Sequence, residues 1–139
     1  MRANQDPVIG KYLSRYALLP ALPRLDQHWH HVMVVPCFKE SLEFLARIPT
    51  PPPEQTLLLI GVLNRPETDS DIDANHALRN YVKEQASSSP IAGITLCQLA
   101  PATTLLMIDL EHLEGATPST EGVGRARRDS CDLALWHMK

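Results

Sequence analysis

Two short apolar runs in the first half of the chain predict buried strands. Residues 32–35 read VMVV and are closed by Pro36, and Leu57–Leu63 carries an apolar residue or glycine at every position. Continuous runs of this kind are typical of parallel strands that are covered on both faces. Residues 91–99 and 103–110 predict a third and a fourth strand.

Apolar residues recur at helical spacing between these runs. They predict helices over residues 39–48 and 71–85, with the serines and proline at 87–90 as a break between the second helix and the next strand. A short helix is predicted over 7–16 and a last one from about residue 120 to residue 139. The alternation of strands and helices predicts a three-layer α/β/α fold with a mainly parallel sheet.

Ligands of such sheets bind at the carboxyl ends of the strands. Three predicted loops meet there, over residues 36–40, 64–70 and 111–128. The third contains EGVGRARR at 121–128, with two glycines at the mouth of a helix and three arginines in its first turns. Helix N-termini attract anions and arginine forks bind phosphate oxygens, so this segment predicts an anion site. A solvated basic turn is the alternative.

Composition narrows the class of protein. The 139 residues are 44% hydrophobic and 21% charged, which excludes general disorder, and the net charge of −3 argues against a nucleic-acid binder. The three cysteines are widely spaced and form no CxxC pair, which fits reduced thiols. No apolar run is long enough for a transmembrane segment and no signal core precedes the first helix, so we expect a cytoplasmic protein.

Other motifs fail on particular residues. The third glycine of a dinucleotide-binding motif is replaced by Arg127. The DSDID run at 69–73 spells DxD, yet a calcium loop would need glycine at Ala74 and glutamate at Asn80. A polar cluster of residues 109–112 at a strand end is more typical of a loop than of a catalytic site.

Two ordered motifs resemble a known family. Residues 34–40, VVPCFKE, resemble the VVPCYNE opening strand of GT-A-type family 2 glycosyltransferases. Residues 122–128, GVGRARR, followed by DLAL at 132–135, resemble the family's G-x-x-x-A-R-N-x-G…A helix. The resemblance covers about residues 31–139, as one Rossmann-like, nucleotide-diphospho-sugar transferase-like domain. Residues 1–30 form an N-terminal helix and extended arm in this interpretation.

The resemblance implies a nucleotide-diphospho-sugar donor at the strand ends. Pro36, Cys37 and Glu40 would lie beside the base and ribose, and Arg127 near the base and diphosphate. The family's acidic DDGSxD element corresponds to residues 64–69, where only the last aspartate matches. The implied nucleotide-binding set is Pro36, Cys37, Glu40, Asn64, Asp69, Gly122, Gly124 and Arg127.

The family's metal-binding DxD motif would follow the last helix, where this chain ends. We therefore expect no metal in this chain, with Mn²⁺ or Mg²⁺ only if a downstream DxD exists. The resemblance makes the chain the nucleotide-binding first half of a larger domain. On its own we expect it to be inactive, and no catalytic residue is assigned. The open sheet edge would allow a homo-oligomer. The alternative is a non-catalytic or degenerate module that binds a nucleotide or a phosphorylated metabolite.

Overall fold

The computed structural model describes residues 7–8, 29–91, 93–117, 128, 131–132 and 134. Within these residues the chain forms one open mixed sheet with short helices, an arrangement compatible with the α/β class. The strands are β1 His31–Cys37, β2 Leu57–Leu63, β3 Ala86–Ile91, β4 Ile94–Ala100 and β5 Thr103–Asp109. The helices are α1 Glu43–Ala46, α2 His76–Gln85 and α3 Leu110–Glu114.

The five strands lie in the order β1-β2-β5-β4-β3. β2 pairs in parallel with β1 on one side and with β5 on the other, so that Ile60 has Val34 and Leu106 as its neighbours. β4 is antiparallel to β5, and β3 is antiparallel to β4. The parallel strands β1, β2 and β5 therefore send their carboxyl ends to one edge of the sheet.

The continuous apolar run of β2 follows from its position between β1 and β5, where all seven of its residues are buried. Alternate residues face opposite sides, as strand geometry requires. Ile60 belongs to a cluster on one face together with Trp29, and helical Ala134 packs against it. Leu59 belongs to a cluster on the other face, where Leu78 of α2 is buried.

Two predicted helices are shorter than their apolar pattern suggests. α1 spans four residues rather than 39–48, and α2 begins at His76 rather than at residue 71. Before α2, the backbone N–H of Asp71 donates to the side chain of Asp69, and that of Asp73 to the side chain of Asp71. These local bonds hold turns that compete with the helix, as aspartate commonly does.

Two other segments differ in type from their prediction. Residues 87–90, expected to be a break, belong to β3, and residues 111–114, expected to be a loop, lie in α3. β3 lies at the sheet edge with register shifts against β4, a place that tolerates Pro90. α3 begins where the Asp109 side chain accepts a hydrogen bond from the backbone N–H of His112.

Residues 7–8 of the predicted N-terminal helix and residues 128, 131–132 and 134 of the last predicted helix are helical, and the rest of both predicted helices lies outside the described residues. None of the helices in the described part of the chain combines the length and the apolar character that crossing a membrane requires.

Candidate functional site

The parallel strands create one edge where candidate residues converge. We call it the carboxyl edge; it consists of the ends of β1, β2 and β5 with the described residues that follow them, 38–42, 64–75 and 110–117. The backbone N–H of Asn64 donates to the Cys37 carbonyl oxygen at 3.1 Å, which joins the ends of β1 and β2. Thr117 exchanges backbone hydrogen bonds with the 65–67 segment, with Thr117 N to Arg65 O at 2.7 Å and Glu67 N to Thr117 O at 2.8 Å.

A buried asparagine couples the first two loops. The Asn75 side chain accepts a bond from the backbone N–H of Lys39 at 3.1 Å and donates one to the carbonyl oxygen of Asn64 at 2.9 Å. Lys39 has a φ of 55°, in the left-handed region that a side-chain-bearing residue seldom adopts. The hydrogen bond that the Lys39 N–H donates to Oδ1 of Asn75 holds the backbone in this conformation.

The Lys39 side chain then reaches the second loop. Its ammonium lies 2.8 Å from Oδ2 of Asp69, and about half of the lysine side chain remains exposed. The hydrogen bond from Lys39, with that from the backbone N–H of Asp71, lowers the pKa of the Asp69 carboxyl. The same contact raises the pKa of Lys39. Both groups are charged at neutral pH.

Five of the eight predicted site residues lie at this edge. Pro36 is half-buried, and Glu40 is exposed. Asn64 is buried, and its side-chain Oδ1 has no hydrogen-bond partner among the described residues. Cys37 is fully buried and its thiol donates to the Val35 carbonyl oxygen, so a ligand at the edge would not reach the sulfur.

The surroundings of Cys37 also lower the reactivity of its thiol. Burial, with a smaller contribution from the Glu40 charge, raises the pKa of the thiol to about 12. A thiol in that range has almost no thiolate at neutral pH and is a poor nucleophile. The remaining three predicted residues, Gly122, Gly124 and Arg127, lie outside the described residues.

Sequence patterns did not reveal a charged network that runs along the same edge. We call it the arginine network; it consists of Arg65, Arg79, Asp109 and Glu111. Arg79 donates two hydrogen bonds to the Asp109 carboxylate, from Nε to Oδ2 at 2.5 Å and from Nη2 to Oδ1 at 3.1 Å. The same Nη2 also lies 3.2 Å from Oε2 of Glu111. Arg65 Nε donates to the other Glu111 oxygen at 2.8 Å, and its Nη1 donates to the carbonyl oxygen of Asp69.

The network neutralises the polar cluster at residues 109–112. Two guanidinium groups face two carboxylates, so the four charges balance at the end of β5. Asp109 and Glu111 raise the pKa of Arg79 further above its ordinary value, with the Asp109 hydrogen bond as the largest cause. This arrangement holds the carboxylates in place and leaves neither of them without a cation.

A signal for Arg79 was present in the sequence. Asn75, the residue before α2, and Arg79 are four residues apart, which places them one helical turn from each other beside the buried Leu78 and Val82. Polar side chains beside the buried stripe of a helix can reach residues at the end of the sheet on which the helix packs. Arg65 had no comparable pattern, because its partner Glu111 is 46 residues away.

Among residues 29–91 and 93–117 and the few described beyond them, no group of three or more His, Cys, Asp or Glu side chains could hold a metal ion. The DSDID run uses two of its carboxylates on its own backbone, where Asp69 and Asp71 accept N–H groups.

Comparison with protein-family models, with curated proteins and with solved structures finds no significant match to this chain.

Proposed function

We propose that the carboxyl edge binds a nucleotide-diphospho-sugar, and that the chain is the nucleotide-binding part of a family 2-like glycosyltransferase with a three-layer, Rossmann-like arrangement. The observation that carries the proposal is the convergence of the first motif, residues 34–40, with residues 64–69, which correspond to the family's acidic element. The 34–40 segment and the 64–69 segment are joined at one edge by the Asn64–Cys37 backbone bond and the Lys39–Asp69 ion pair. Open α/β sheets bind ligands at such an edge.

The residues at this edge supply suitable chemistry for a nucleotide. The exposed Glu40 carboxylate and the Asp69 carboxylate can accept hydrogen bonds from ribose hydroxyls or from a base N–H. The Lys39 ammonium, half exposed beside Asp69, can add a phosphate contact without leaving its partner. By resemblance, Gly122, Gly124 and Arg127 supply the remaining phosphate contacts.

The inferred reaction transfers the sugar to an acceptor hydroxyl and releases the nucleoside diphosphate. Cationic groups must stabilise the leaving diphosphate, a role that Mn²⁺ or Mg²⁺ fills in the family this chain resembles. In that family a DxD pair holds the metal. We assign no catalytic base, because Asp109 and Glu111 are already paired with arginines.

One observation favours the second candidate function, a module that binds a nucleotide or phosphorylated metabolite without turnover. Arg65 stands in the segment where the family has consecutive acids, and it is engaged with Glu111 and with the Asp69 carbonyl oxygen. An arginine fixed at this position, where the family has acidic residues, changes the part of the site that would recognise the nucleotide base.

Calorimetric titration of the chain with UDP, GDP and their sugar conjugates, with Mn²⁺ present, tests the proposal. We expect one nucleotide diphosphate to bind, and Asp69→Asn to weaken it by about tenfold because a charge-assisted hydrogen bond is lost. Glu54→Gln is the matched control, since this exposed residue precedes β2 at the opposite edge. Absence of binding by every nucleotide, or equal affinity in the two variants, would contradict the proposal.

Assays of nucleoside diphosphate release separate the two candidates when they are run on the full product of the gene, because the chain alone is expected to be inactive. Binding with release favours the transferase. Binding without release, retained when Mn²⁺ is replaced by a chelator, favours the non-catalytic module.

A further inference from the structure

A second concave site lies beside the arginine network, on the face of the sheet covered by α2. The α2 cleft, as we call it, encloses about 270 Å³ between α2 and the β4–β5 hairpin. Its floor is apolar and is formed by Leu63, Val82 and Met107. The volume is just below the range of about 300–1,000 Å³ typical of sites for drug-sized ligands, so the cleft suits a small molecule.

The rim of the cleft carries an uncompensated positive charge. Lys83 is exposed, and it makes no ion pair or hydrogen bond with any described residue. It stands one helical turn from Arg79, so the two cations share one stripe of α2. The arginine network is neutral within itself, which leaves the Lys83 charge without a counterion there.

Further donors border the same space. Arg79 uses Nε and one terminal nitrogen on its carboxylate partners, and its other terminal nitrogen has no partner in the described part of the chain. Thr95 and His112 also line the cleft, and neither side chain makes a hydrogen bond to a described residue. Asp109 lines the cleft as well, and its carboxylate is already paired with Arg79. Donors and positive charge above an apolar floor match a ligand with an anionic head and an apolar body.

We propose that the α2 cleft binds a small organic molecule that carries an oxyanion, a carboxylate or a phosphate, on a short aliphatic body. The oxyanion contacts Lys83 and the unengaged nitrogen of Arg79, and the body covers Met107 and its neighbours. The cleft shares Leu63, Asp109 and His112 with the carboxyl edge, but none of its lining residues belongs to the predicted nucleotide-binding set. It can therefore be present whether or not the chain binds a nucleotide.

The test is a titration of the isotopically labelled full chain, followed by the backbone amide signals in NMR spectra. The probes are valerate, butyl phosphate, inorganic phosphate and butylammonium. We expect valerate and butyl phosphate to produce saturable shifts at Gly93, Thr95 and His112, and butylammonium to produce none. Inorganic phosphate should bind about tenfold more weakly than butyl phosphate, because it buries no apolar surface. The tighter of the two organic anions identifies the head group.

The substituted residues, Lys83 and Arg47, are exposed, so we expect the variants to fold as the unmodified chain does. Lys83→Gln should weaken both organic anions by about tenfold, and Lys83→Glu should abolish their binding and allow butylammonium to bind. Arg47→Gln is the matched control, because it removes an exposed cation that lies away from the cleft. Three outcomes would overturn the proposal: equal affinity in Lys83→Gln and Arg47→Gln, equal binding of butylammonium by the unmodified chain, or shifts confined to residues 38–42 and 64–75.

Discussion

The ammonium of Lys39 lies 2.8 Å from Oδ2 of Asp69, so a single ion pair joins the loop after β1 to the loop after β2. The Lys39 backbone is held as well, because its N–H donates to the buried side chain of Asn75. The backbone and the side chain of Lys39 are therefore both held by residues 64–75, the segment that leads from β2 into α2. The carboxyl edge has a defined shape because of these contacts, although its two loops come from distant parts of the sequence.

The first prediction concerns the titration of Asp69. Its pKa is lowered, chiefly by the Lys39 hydrogen bond, so the ion pair persists at neutral pH and is lost as the pH falls through the lowered pKa. At the alkaline end it is lost above the raised pKa of Lys39. Lys39→Met should move the Asp69 midpoint upward, as read from its carboxyl carbon signal in NMR spectra. Lys83→Met should leave it unchanged. An ordinary aspartate midpoint in the unmodified chain would contradict the structure.

The second prediction concerns the buried side chain of Asn75. Asn75→Ala removes two hydrogen bonds and leaves the Asn64 carbonyl oxygen without its side-chain donor, so it should cost about 2 kcal/mol of unfolding free energy. Urea denaturation measures the loss. Asn80→Ala, at an exposed position of the α2 helix that follows Asn75, should change stability by no more than about 0.5 kcal/mol. Equal effects of the two substitutions would mean that Asn75 does not fasten the loops.

The third prediction concerns the Arg79–Asp109 pair. The two side chains are 21% and 12% exposed, between a surface pair and a fully buried one. Exposed pairs contribute less than about 1 kcal/mol, and breaking a buried pair costs about 3–5 kcal/mol, so Arg79→Met should cost about 2 kcal/mol. Arg79→Lys should recover little of this, because one ammonium cannot reproduce the fork that meets two carboxylates.

A double-mutant cycle isolates the contact between the two residues. If Arg79→Met and Asp109→Asn each cost about 2 kcal/mol, the double variant should lose clearly less than the sum, since both changes remove the same contact. Urea denaturation of all four proteins supplies the free energies. Simple additivity would show that the pair is not coupled, and Arg47→Met, at an exposed site, calibrates the effect of losing one arginine.

Local patterns predicted those parts of the molecule that local physics decides. The apolar runs of β2 and β5 were visible because strands buried on both faces need apolar side chains there. The strand β1 was also predicted, but as a buried strand, whereas it lies at the sheet edge and its residues 32–36 are half-buried. The loops at the carboxyl ends of these strands followed from that, and with them the shared location of Cys37, Asn64 and Asp69. β3 was missed because serine and proline disfavour a strand, while pairing with β4 supplies the hydrogen bonds that hold it at the edge.

The arginine network lay beyond these patterns for a different reason. Arg79 meets Asp109 across 30 residues of sequence, and Arg65 meets Glu111 across 46. Such pairings depend on the strand order β1-β2-β5, which places β5 beside β2. Composition and spacing show that charges exist near strand ends, but the sheet topology decides which of them meet.

The last prediction concerns the three thiols. Cys37 and Cys97 are buried, and burial raises the pKa of both, that of Cys37 to about 12, whereas Cys131 is exposed. At about pH 8 only about one Cys37 thiol in ten thousand is ionised, and the thiolate is the form that reacts. Iodoacetamide should therefore label Cys131 in the native chain and label Cys37 and Cys97 only in urea, as mapped by peptide mass spectrometry. Cys131→Ser is the control and should leave the native chain almost unlabelled. Native labelling of Cys37 as fast as that of Cys131 would show that the end of β1 opens to solvent and that its thiol is accessible at the carboxyl edge.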